Sequence, residues 1–91
     1  MIRNFRHKGL EEFFRTGKSR NVRADFQKRI RVRLDAMANA SGFTALGVPG
    51  FNFHALKGKP RRYSIHVNGP WTITFGWEKG EAIDVDLEQY H

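Results

Sequence analysis

Residues 63–87, "YSIHVNGPWTITFGWEKGEAIDVDL", hold three alternating runs separated by two tight turns. In the first run Tyr63, Ile65 and Val67 alternate with Ser64, His66 and Asn68. In the second, Trp71, Ile73, Phe75 and Trp77 alternate with Thr72, Thr74 and Gly76, and "AIDVDL" alternates once more. A period of two sends successive side chains to opposite faces of a β-strand. The "GP" and "EKGE" segments supply the turn chemistry. The stretch therefore predicts an antiparallel meander with an apolar face against a core and a polar face left open. Trp71, Phe75 and Trp77 fall on the core side, which argues against their use as base-stacking platforms.

Upstream, "FNFHAL" (51–56) reads as another strand, leading into the basic turn "KGKPRR" (57–62). "ASGFTALGVPGF" (40–51) breaks every pattern with Gly, Pro and Ser and reads as a loop. Before it, Val22, Phe26, Ile30, Leu34 and Met37 recur every three or four residues, the stripe of an amphipathic helix that Asn21 could cap. "HKGLEEFFRTGK" (7–18) predicts a shorter helix, with Leu10, Phe13 and Phe14 at helical spacing and Gly17 as its stop. "MIRNF" reads as a short strand joining an edge or the centre of the sheet. The fold expected is α+β: one domain over 1–91, with two N-terminal helices on one face of a small, mainly antiparallel sheet.

The formal net charge is +7 and its distribution is uneven. Residues 1–33 carry eleven Lys or Arg against three acids, and the turn at 57–62 adds four more cations. A basic half of this kind is the footprint of a polyanion binder, most simply a nucleic acid, although a solvated surface or an acidic protein partner would look alike. Lys8 on the first helix and Arg23, Lys28 and Arg31 on the second are candidate RNA contacts. No cysteine is present, and neither H-x-x-x-H nor H-E-x-x-H spacing occurs, so no metal site or cofactor is expected. The charged opening and the absence of a long apolar run predict a cytoplasmic protein with no membrane segment.

Metal-free cleavage of an RNA backbone requires a base for the 2′-hydroxyl proton, cations for the phosphate oxygens and an acid for the leaving 5′-oxygen. Histidine suits the proton transfers, and Lys and Arg suit the electrostatic role. His54, His91, Tyr90 and the turn residues Lys57, Lys59, Arg61 and Arg62 form a plausible set, with His66 and Asn68, on the polar parity of the next run, among the side chains able to handle phosphate. Four histidines in so short a chain make such a set easy to assemble, and a hydrogen-bonding surface role is the commoner one. Alternate strand ends of a meander reach the same edge, so His54 and the end of "DLEQYH" could meet. Asp84, Asp86 and Glu88 share the polar parity of the last run and would repel a phosphate unless they pair with the basic turn.

"MIRNFRHKGLEEFFRTGK" (1–18), "HALKGKPRRYSIHVNGPWTITF" (54–75) and the terminal "YH" together resemble the HigB toxins, or plasmid-maintenance killer proteins, of the RelE/ParE superfamily. The resemblance covers nearly the whole chain. It implies a small α+β toxin of a type II toxin–antitoxin pair that enters the ribosomal A site and cuts messenger RNA. A HigA-type helix-turn-helix antitoxin would restrain it. His54 and Lys57 match family active-site positions, and Tyr90 with His91 matches the terminal pair. Three positions depart from the family pattern: His66 and Thr72 stand where arginines are usual, and Gln89 where an aspartate is usual. Losing a cation that acts only on the transition state costs about 10²-fold or more in rate. A toxin-like module that binds RNA or ribosome without cutting is the rival reading, and a ParE-like gyrase inhibitor a third, which the histidine ending disfavours.

Overall fold

The computed structural model describes residues 1–89. Helix α1 spans Lys8–Thr16 and α2 spans Gln27–Asn39; the strands are β1 (His54–Leu56), β2 (Arg62–Asn68), β3 (Trp71–Glu78) and β4 (Glu81–Gln89). Among the described residues these strands form one antiparallel sheet in the order β1-β2-β3-β4, the meander that the alternation predicts. Its apolar parity carries Ile65, Val67, Ile73 and Phe75, all buried against Leu10, Ile30, Leu34 and Met37 of the two helices. Both helices therefore cover a single face, and the layers are held by removal of apolar surface from water. Trp71 and Trp77 pack half-buried at the margins of that core, on the side expected of them.

Leu34 has no solvent exposure at the centre of the α2 stripe. Leu34→Ala is expected to lower unfolding free energy by about 2–5 kcal/mol, because lost transfer energy and a residual cavity add. A chemical denaturation midpoint compared with the wild type checks this.

Both ends of the first helix have an identifiable cause. His7 caps α1 by accepting the Leu10 N–H at Nδ1, 2.9 Å, and Gly17 ends it at φ 81°, the left-handed stop expected of it. The start of the second helix differs from its sequence pattern. Asn21 caps nothing; its N–H is taken by Ser19 Oγ, and a 3₁₀ turn at Ala24–Phe26 precedes α2. Val22 reaches the core from the turn before the helix, and Gln27 Nε2 donates to its carbonyl. Burial of Val22 was legible, but a turn rather than a helix delivers it.

Two expected strands are also shorter than their patterns. "MIRNF" makes only two isolated parallel bridges, Ile2 to Ala82 and Phe5 to Val85, so it lines the β4 edge without becoming a regular strand. In "FNFHAL" only His54–Leu56 is strand, because Asn52 takes φ 48° and turns the chain. Phe51 is buried ahead of that turn, and its carbonyl accepts the His66 N–H at 2.6 Å. His54 thus begins a strand rather than ending one. On the polar face, Ser64, Thr72 and Thr74 are buried, so that face is polar but partly closed by its own side chains.

Candidate functional site

The polar sheet face forms a cleft of about 820 Å³ floored by Ser64 and Thr72, with His54, Lys57 and His66 on its walls. Strand register explains the grouping. His54 of β1 lies opposite Ser64 of β2, and His66, two residues further along β2, lies opposite Thr72 of β3. Residues opposite each other, or two apart on one strand, share a face, so both imidazoles project into the same space.

Backbone carbonyls orient both rings. His54 Nδ1 is 2.7 Å from the Asn52 carbonyl oxygen, and His66 Nε2 is 3.0 Å from that of Gly69. A carbonyl only accepts, so the hydrogen on each of these nitrogens is assigned by chemistry. In the neutral ring His54 then keeps its lone pair on Nε2, and His66 keeps its lone pair on Nδ1. The cleft is therefore offered one imidazole of each tautomer. Lys57 is exposed beside them and has no ion-pair partner among the described residues.

Arg33 of α2 holds the cleft from behind. Its Nε donates to the His66 carbonyl at 2.6 Å, its Nη2 to the Gly50 carbonyl at 3.4 Å, and its guanidinium lies 4.8 Å from the Phe51 ring centre. Burial, and then the neighbouring Arg29 charge, lower its pKa. It remains a cation and ties the helix to β2 and to the loop before β1. Sequence reading missed this role, since Arg33 sits among four other basic residues of the second helical region (21–39) and nothing local marks it.

Arg62 also differs from a free phosphate ligand. Its Nη2 donates to Thr74 Oγ1 at 3.1 Å and to the Asp84 carbonyl at 2.9 Å, and Thr74 in turn donates to the Glu88 carboxylate. Burial, followed by repulsion from Arg6, lowers the Arg62 pKa, while Glu88, Asp84 and Asp86 oppose that shift. This network occupies the β3–β4 half of the face. A bulge opposite Phe75 takes Asp84 out of the alternation, at φ 49°, where it exchanges hydrogen bonds with Asn4. The acidic strip therefore lies away from the cleft walls and is occupied by Asn4, Thr74, Arg62 and backbone groups.

The remaining candidates divide by layer. Lys59 and Arg61 are exposed in the turn between β1 and β2 and do not line the cleft. Asn68 pairs with Trp71 beyond a bulge that follows His66, so it leaves the parity the pattern implied and does not line the cleft. Lys8, Lys28 and Arg31 lie on the helices, Arg23 stands in the turn just before the 3₁₀ segment rather than on the second helix, and none lines the cleft. Arg23 pairs with Asp25 at 2.8 Å, and Arg31 lies over the Phe13 ring while donating to its carbonyl. Arg3 is likewise engaged: it donates hydrogen bonds to the carboxylates of Glu78 and Glu81, which raise its pKa. Tyr90 and His91 lie outside the described residues. Gln89, the last one described, pairs with Trp71, on the opposite side of β3 from β2.

Comparison with known proteins identifies the family. The chain matches the HigB-like toxin family, described as the RelE-like toxin of type II toxin-antitoxin system HigB, over residues 3–91. It is also similar to a protein of Proteus vulgaris named Endoribonuclease HigB, at 38% identity over 92 residues, covering 100% of each chain. The α+β arrangement, the basic cleft and the full-length match lead to one conclusion: this chain belongs to the HigB-like family of RelE-like toxins, the toxin component of type II toxin–antitoxin systems.

Proposed function

We propose that the protein is an endoribonuclease that cuts messenger RNA on the ribosome and so stops translation, without a metal ion. The observation that carries this reading is the cleft itself, in which two oriented imidazoles and an exposed lysine converge on one sheet face. The similarity to an endoribonuclease of the same family and length supports it. Within the cleft, His54 Nε2 takes the proton of the 2′-hydroxyl while Lys57 and Arg61 hold the phosphate oxygens. Attack of the 2′-oxygen on phosphorus then yields a 2′,3′-cyclic phosphate and a free 5′-hydroxyl. Tyr90 orients the RNA and His91 stands as a second proton-transfer candidate from the chain's end. Lys8, Lys28 and the exposed remainder of the helical cations hold ribosomal RNA at the A site. The antitoxin that membership of the family implies is of the HigA helix-turn-helix type, and the pair works in the cytoplasm.

Primer extension on a defined message after induced expression tests the reading, comparing the intact chain with one lacking Tyr90 and His91. The expected result is cuts at codon positions in translated message, lost on truncation. Arrested growth without cuts in the intact chain would overturn cleavage in favour of binding alone, a reading that the substitutions at His66 and Thr72 keep open.

A further inference from the structure

Of the two proton transfers in the proposed reaction, the one to the leaving oxygen has a candidate inside the cleft that Tyr90 and His91 do not supply. His66 shares the cleft with His54 and stands on the adjacent strand, two residues beyond the residue that faces His54. Such diagonal neighbours have Cα atoms about 7–8 Å apart, and their Cβ atoms are somewhat closer. A phosphodiester fits between two imidazoles at that separation. In-line displacement needs a base on the attacking side of phosphorus and an acid on the leaving side, so a single group beside the phosphate cannot serve both.

The tautomers suit that division. The Asn52 carbonyl holds the His54 Nδ1–H, leaving Nε2 as the acceptor. The Gly69 carbonyl holds the His66 Nε2–H, leaving Nδ1 as the nitrogen that binds or gives up a proton. His66 is also held more firmly than an ordinary strand residue. Its N–H donates to Phe51 and its carbonyl accepts from Arg33, both at 2.6 Å, so loop and helix together clamp its backbone. Pre-organisation of this kind is what a proton donor needs to act without first searching for its position. Glu88, on β4 in the same row as His66 and Thr72, bonds instead to Thr74 and is not the donor.

We infer that His66 is a catalytic residue of this protein, the general acid that protonates the departing 5′-oxygen. The inference rests on the proposed ribonuclease reading. The His66 imidazolium gives its Nδ1 proton to O5′ as the P–O5′ bond breaks, while His54 Nε2 receives the proton of the 2′-hydroxyl as the O2′–P bond forms. His66 leaves the turnover neutral and His54 protonated, and exchange with water restores both. His91 then contacts the RNA without donating the proton.

The test uses the full chain on ribosomes programmed with two messages, one with an ordinary A-site linkage and one in which the scissile 5′-oxygen is sulfur. A thiolate departs without help from an acid, since thiols ionise near pH 8.5. His66→Ala, and His66→Gln, which keeps a donor for the Gly69 carbonyl, are each expected to cut the oxygen linkage about 10²-fold or more slowly. Both are expected to cut the sulfur linkage at close to the wild-type rate. His54→Ala is expected to stay slow on both linkages, and His91→Ala to show the same ratio on both. A His66 defect that persists on sulfur, or sulfur rescue of His91→Ala in its place, would overturn the assignment while leaving the ribonuclease reading intact. Failure of the wild type to cut either message would overturn both.

Discussion

His54→Ala is expected to reduce single-turnover cleavage of ribosome-bound message by about 10²–10⁴-fold, the contribution typical of one positioned acid–base group. The side chain is exposed, begins a three-residue edge strand and, among the described residues, hydrogen-bonds through its ring only to the Asn52 carbonyl. Removing it leaves the core untouched, so the thermal midpoint is expected to stay within the small range of surface substitutions. The measurement pairs a cleavage time course with a thermal melt. An unchanged rate would remove His54 from the mechanism; a fallen midpoint would show that the ring holds the strand. His54→Gln retains a hydrogen-bond donor but cannot accept a proton and return it, so it is expected to be as slow as the alanine variant.

Lys57→Met is expected to slow cleavage by about 10²-fold, the scale of losing one preorganised charge at a developing oxyanion. Methionine keeps the unbranched stem and removes only the ammonium, and Lys57 is exposed without an ion-pair partner among the described residues. Two readouts separate binding from chemistry. If Lys57 touches a phosphate in the bound state, the slope of log affinity against log salt for single-stranded RNA falls by about 0.7 on substitution. A rate loss with an unchanged slope would place its action in the transition state alone. An unchanged rate and slope together would exclude Lys57 from the RNA surface, leaving Lys59 and Arg61 as the turn's phosphate ligands.

Arg62 illustrates how a residue of the right type need not have the expected role. It belongs to the same basic turn as Lys57 and Arg61, and charge alone does not distinguish the three. The structure binds its guanidinium to Thr74 and to the Asp84 carbonyl, where it closes the polar face. Arg33 shows the converse, since it resembles its helical neighbours in sequence and yet reaches from α2 to the His66 carbonyl. Arg23, tied to Asp25, and Arg31, tied to the Phe13 carbonyl, are less available to RNA than the charge count suggests. Side-chain partners of this sort come from segments up to dozens of residues away, and local pattern carries no record of them.

The meander, its inward parity and the two helices were determined by the sequence alone, because alternation with period two and recurrence with period 3.6 are properties of neighbouring residues. The family, too, was legible, since its opening, central and terminal stretches survive as contiguous words. Tertiary structure decided the rest. Asn52, turning at φ 48°, shortened β1 and placed its carbonyl against His54, and the Gly69 carbonyl in the β2–β3 turn selected the tautomer of His66. Register then set two histidines twelve residues apart on adjacent strands of one cleft, and a bulge turned Asp84 away from it. These are consequences of which backbone atoms meet when the strands pair, and pairing is fixed by the whole sheet packed against its helices rather than by any one stretch.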